Sequence, residues 1–194
     1  MNVSTCVATL VEHVPANPVT HQTPDLVLAS QDVLLQGLGL LLKLPESTYA
    51  HVVEAPYSAS VGQHYRHILE HFQCLVRGLR DGEINYDARE RNPRLEKEVA
   101  YASNATREVL RTIENYSEAE LGRSCKVVNS ISYGSPQPSV IETNVGRELA
   151  YCTGHAVHHY AIIRLMCSQA KVEVPAEFGV APSTLKYKST LAVD

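Results

Sequence analysis

SVGQHYRHILEHFQCLVRGLR, residues 60–80, is the stretch whose reading decides the fold. Its apolar residues Val61, Tyr65, Ile68, Phe72, Leu75 and Leu79 recur at steps of four and three. At about 100° per residue those steps fall on one face, the seam of a helix packed in a bundle. The helix starts after Ser58 or Ser60 and ends at the turn-forming pair Asp81 and Gly82. Beside the seam the same stretch carries His64, His67 and His71, and HAVHH supplies His155, His158 and His159 roughly ninety residues later. Six of the chain's nine histidines therefore sit in two short stretches.

Working outward, residues 1–22 contain Pro15 and Pro18, show no sustained period and read as an irregular arm. Thr23 is a good N-cap, Pro24 suits the first helical position, and a helix is expected from about 25 to 43 with Pro45 as its stop. Gly37 and Gly39 weaken this helix locally or let a neighbouring helix approach. EINYDARERN (83–92) is polar and reads as a loop. Pro93 then opens a third helix in which Leu95, Val99, Ala102, Thr106, Leu110 and Ile113 repeat the step pattern. The β-prone segments SCKVVNSISY and PSVIET flank GSPQP and predict a small hairpin. A fourth helix runs from about Asn144 to Ala170, and the tail reads as irregular. The expectation is an all-α chain, a four-helix bundle over 23–172 with a short β-hairpin insertion before the last helix, and arms over 1–22 and 173–194.

Composition narrows the function. A chain of 194 residues with 44% hydrophobic and 20% charged residues is ordinary for a soluble domain. Its net charge is −4 and its basic residues never run longer than a pair, which argues against nucleic acid. Five scattered cysteines without a CxxC pair suggest reduced thiols and a cytoplasmic setting. The start lacks the pattern of a signal peptide, and the most apolar window, residues 33–44, is too short to cross a bilayer, so no membrane partner is expected. No P-loop, GxGxxG or Ser-His-Asp pattern is present.

On the fourth helix His155 and His159 lie about 40° apart, on a stripe shared with Glu148, Cys152, Ile162 and Met166, while His158 flanks it by about 60°. On the second helix the angles favour His64 or His71, nearer the apolar seam. Several titratable rings inside a bundle need partners, since an unmatched buried polar group costs about 1–3 kcal/mol. A divalent metal resolves the conflict by taking neutral imidazole nitrogens. An HxxxH pair plus one ring from a facing helix gives three ligands and leaves an open position, and imidazole suits zinc, nickel, iron and copper alike. The competing reading makes each ring a satisfied core residue and Cys152 a small buried hydrophobe.

SVGQHYRHILEHF and HAVHHYAII, with INYDARERN between them and FGVAPSTLKY near the end, resemble the DinB/YfiT-like superfamily of metal-dependent enzymes, over about residues 25–187. The resemblance implies a four-helix bundle, often a homodimer, with a divalent metal (zinc, nickel or iron) on three histidines. Carried over by position these are His67, His155 and His159, with His64, His71, Glu70 and His158 around them. The family's common Arg-Gly-Gln after the last histidine is replaced by Tyr160, Ala161 and Ile162. The implied activity is that of a metal-dependent enzyme activating water or a thiol, of thiol transferase or hydrolase type, on a small molecule, with a low-molecular-weight thiol as co-substrate. Glu148 is the expected general base, Arg66 and Arg147 the expected substrate-binding cations, and Tyr86, Asp87, Arg89 and Arg91 candidates for the mouth. The alternative is a non-catalytic metal-binding or interaction bundle.

Overall fold

In the computed structural model the described residues are 23–54 and 58–191, so the arm expected over 1–22 lies outside them. The first long helix, α1 (Asp25–Leu41), starts where expected and ends two residues short of 43. Pro24, not Thr23, holds the cap position at φ −58° and ψ 141°, and its carbonyl accepts from the N–H groups of Val27 and Leu28. Proline fixes φ but leaves ψ free, so Pro24 stays extended and hands the first helical position to Asp25, whose charge suits the positive helix end. A short α2 (Glu46–Ala50) follows, and β1 (Val52–Val53) pairs antiparallel with β2 (Ala59–Ser60).

Helix α3 (Val61–Asp81) forms as its periodicity predicts. Ser60 and Gln63 make a reciprocal capping box, and Gly82 closes the helix at φ +74°, a left-handed conformation that suits glycine. Val61, Tyr65, Ile68, Phe72 and Leu75 are buried in the core. Each such side chain removed from water contributes roughly 1.5–3 kcal/mol.

The next segment departs from expectation. Residues 83–85 are not loop but β3 (Glu83–Asn85), held parallel to a later strand. Ile84 is fully buried there, and Gly78 on α3 leaves the room: a Cβ at Gly78 would meet the Glu83 carbonyl and Ile84. The expected third helix is broken in two, α4 (Pro93–Lys97) and α5 (Val99–Ile113), with Glu98 extended at φ −109°, ψ 104° between them. Two contacts explain the break. Tyr49 Oη donates to the Leu95 carbonyl oxygen at 2.5 Å, and α4 rests against α3 where a Cβ on Gly62 would collide with the Glu96 carbonyl.

After α6 (Glu118–Leu121), the predicted hairpin is present as β4 (Ser124–Asn129) and β5 (Ser139–Asn144), with Cys125 opposite Thr143 and Val127 opposite Ile141. Strand order in this sheet is β3-β4-β5. Helix α7 (Val145–Gln169) is capped by the Asn144 side chain, which accepts from Arg147 N. The tail is not wholly irregular: α8 (Pro182–Leu191) forms with proline at its first position, every residue exposed. Helices α1 and α3 each lie against both α5 and α7. The described residues are thus mostly helical, with two small sheets beside the helices. No described helix is long and apolar enough to cross a membrane.

Candidate metal centre

Helices α3 and α7 pack on each other and bring the two histidine stretches together. His67 Nε2 lies 2.9 Å from His155 Nε2. The ring of His159 is 4.6 Å from both neighbours, centre to centre, and one nitrogen from each of His67, His155 and His159 falls within 4.8 Å of the others. Helical angles alone favoured His64 or His71 over His67. In the structure it is His67 whose nitrogen joins those of His155 and His159. His64 remains adjacent, its Nδ1 3.0 Å from His159 Nδ1. His71 donates from Nδ1 to the His67 carbonyl at 2.7 Å and packs its ring 4.5 Å from that of His155. His158 is exposed, its ring 6.5 Å from His155.

Burial is the main force on the basicity of these rings, followed by their mutual repulsion. His67 is pushed down to about 2, by burial and then by His71, His159 and His155. His159 is pushed down to about 3 and His155 to about 4, again chiefly by burial. His64 and His71 are lowered by the same cause. At neutral pH the trio is therefore uncharged, with lone pairs available to a cation. Three neutral imidazoles with converging nitrogens fit a divalent metal.

The expected supporting groups sit differently. Glu148 is buried, at 4% exposure, and both its oxygens are taken: Tyr86 Oη donates to Oε2 at 3.0 Å and Thr143 Oγ1 to Oε1 at 2.8 Å. Arg147 lies 3.6 Å from Oε1 and is otherwise exposed. Glu70, at 2% exposure, accepts from Asn92 N at 2.8 Å and stands 4.0 Å from Arg66 Nε, so its partners are not imidazoles. Arg66 in turn reaches Glu96 Oε2 at 2.5 Å. Both cations expected to bind substrate are thus paired with carboxylates of the chain itself.

Cys152 lies 3.5 Å from Tyr86 Oη, and burial first of all pushes its thiol up to about 12, so it stays protonated, a small buried group. Asp87 is tied to Ser130. Sequence reasoning missed Tyr151, whose ring stacks on His155 at 5.5 Å and 18°. Its position four residues before His155 is the signal that points to it. Tyr86 closes the same side, 5.3 Å from both the His71 and Tyr151 rings.

A family model described as the DinB superfamily matches residues 33–163, more than half of the chain. The chain belongs to the DinB superfamily, in agreement with the resemblance of its histidine stretches. The crystal structure of a DinB-like protein from Bacillus subtilis is similar, with a TM-score of 0.61 and 15% identity, covering 80% of this chain and 99% of that one. At that identity the likeness concerns the fold. The chain is also 36% identical over 104 residues to FK506-binding protein 5 of Rhizopus delemar; the match takes in 54% of this chain and 27% of that longer protein.

Proposed function

We propose that the four long helices form the bundle of a metal-dependent enzyme in which His67, His155 and His159 hold one divalent ion. The observation that carries this reading is the convergence of three neutral, half-buried rings on one point. Metal binding is common in the superfamily. Zinc, nickel and iron all accept this donor set. When bound, such an ion supplies Lewis acidity at a position the protein leaves open, where water or a low-molecular-weight thiol becomes a nucleophile near neutral pH.

The chain's own residues prepare that position. A proton on His159 Nδ1, donated to His64 Nδ1, leaves the lone pair of His159 on Nε2. His71 steadies the α3 backbone at His67 through its carbonyl. Tyr151, stacked on His155, shields one side of the site from water. Glu148 acts through Tyr86, holding that ring against His71 and Tyr151.

A second reading, a metal-holding module without turnover, is favoured by one observation: both oxygens of Glu148, the expected base, are occupied. One experiment separates them. The metal-loaded chain is assayed for consumption of an electrophile with a panel of low-molecular-weight thiols, and for hydrolysis without thiol. Turnover lost in His155→Ala supports the enzyme; full metal occupancy with no turnover of any pair supports the holder.

A further inference from the structure

We propose that the outer face of α1 is an interface between two copies of this chain, paired antiparallel about Leu35. Leu28, Leu35 and Leu42 recur at steps of seven, on the side of the helix opposite the buried Ser30, Val33, Gly37 and Leu40. They are 46%, 52% and 68% exposed, whereas Leu34, Leu40 and Leu41 of the same segment are buried. Two such steps make a leucine stripe about 21 Å long. The glycines of α1 mark the same two sides. Gly37 is used within the chain, since a Cβ there would collide with Tyr160 Oη and Tyr65 Oη. Gly39, one turn from Leu35 on the exposed face, has nothing within 4 Å of a Cβ, so the close approach it permits is left to something outside the described residues.

The stripe is its own complement. Leu28 and Leu42 are equidistant from Leu35, so a twofold axis at Leu35 sets Leu28 of each copy against Leu42 of the other. The polar residues beside the stripe obey the same symmetry. By helical angle Asp25, Asp32, Gln36 and Lys43 all lie on one flank of the leucines, and all four are exposed. Lys43 follows the cap residue Leu42, whose backbone is still helical. In the antiparallel pair this flank meets itself, with Asp25 of each copy level with Lys43 of the other and Asp32 level with Gln36. A parallel pair would instead set Asp25 against Asp25 and Lys43 against Lys43, and would align the two helix dipoles. Three partly exposed leucines per copy make a small contact, which places the association on the order of 10 µM.

Sedimentation velocity of the full chain at low salt, from about 1 to 500 µM, reads the association. A reversible dimer is expected, weakened at least about tenfold by Leu35→Lys, which buries two ammonium groups at the axis. Asp25→Lys and Lys43→Asp are each expected to weaken it about fivefold, and the two together to return it to within about twofold of the unaltered chain. That charge swap keeps the test decisive if Leu35→Lys misfolds, and only an antiparallel pair is restored by it. A chain that stays monomeric throughout the range, including one whose leucines are covered by residues 1–22, overturns the proposal. So does a dimer indifferent to a folded Leu35→Lys, or a double variant no tighter than the single ones. The interface is expected with and without a metal ion, so metal content measured on the same samples separates failure of this proposal from failure of the metal-site reading.

Discussion

Helices α3 and α7 carry two kinds of shielded polar group, and they are finished in different ways. Glu70 and Glu148 are shielded as well as the leucines around them, and each has drawn donors from other parts of the chain: Asn92 N and Arg66 for one, Tyr86, Thr143 and Arg147 for the other. The rings of His64, His67, His155 and His159 instead turn nitrogens towards one another. A polar group buried for structure brings its partner with it. A cluster whose members have only each other is completed by something that is not protein.

The sharpest way to break this contrast is to remove a finished group. Glu148→Ala strands the Tyr86 and Thr143 hydroxyls and should cost about 3 kcal/mol in urea unfolding of the metal-free protein. A loss below about 1 kcal/mol would mean that the carboxylate is not structural. Removing an unfinished group should act only through the ion. Zinc at a hundredfold excess over its dissociation constant should raise stability by about 2.7 kcal/mol, and His67→Ala should abolish that gain. A thermal or chemical melt with and without zinc reads both numbers.

pH sharpens the same comparison. Burial lowers the folded-state basicity of His67, His155 and His159 below the ordinary value of 6.5, so the unfolded chain binds protons that the folded chain refuses. Stability of the metal-free protein is then fully present above about pH 6.5. It declines as pH falls from there towards about 4, by on the order of 1.4 kcal/mol per pH unit for each ring that stays neutral. A denaturant midpoint that is flat between pH 7 and 5 contradicts that environment. The smallest effect belongs to His158→Ala: the exposed ring should change stability by less than about 0.5 kcal/mol and leave zinc-induced stabilisation intact.

Much of this is legible in the residues themselves, for reasons that also explain the gaps. The four-and-three spacing from Val61 to Leu75 and the polar start at Ser60 fix α3, because burial and capping act locally. The β4–β5 hairpin shows in its β-prone flanks. Strand β3 does not, since three residues carry no period and their partner, Lys126 to Val128, is some forty positions away. The break at Glu98 carries no glycine or proline and is imposed by Tyr49 and Gly62 from other elements. Helix α8 escapes notice because no apolar stripe marks an element exposed all round.

At the site, the HxxxH of His155 and His159 is written in one helix and can be read there. The choice among His64, His67 and His71 depends on where α7 lies against α3, a tertiary fact that helical angles do not contain. Likewise Arg66 looks free in the sequence and is tied to Glu96 in space.

Metal stoichiometry across the α3 histidines tests the central claim most directly. Elemental analysis of the purified protein, beside His64→Ala, His67→Ala and His71→Ala, should give about one divalent ion per chain in all but His67→Ala, which should be empty. An unaltered protein without metal after incubation with zinc, nickel and iron, or a His67→Ala variant that keeps its ion, would contradict the account.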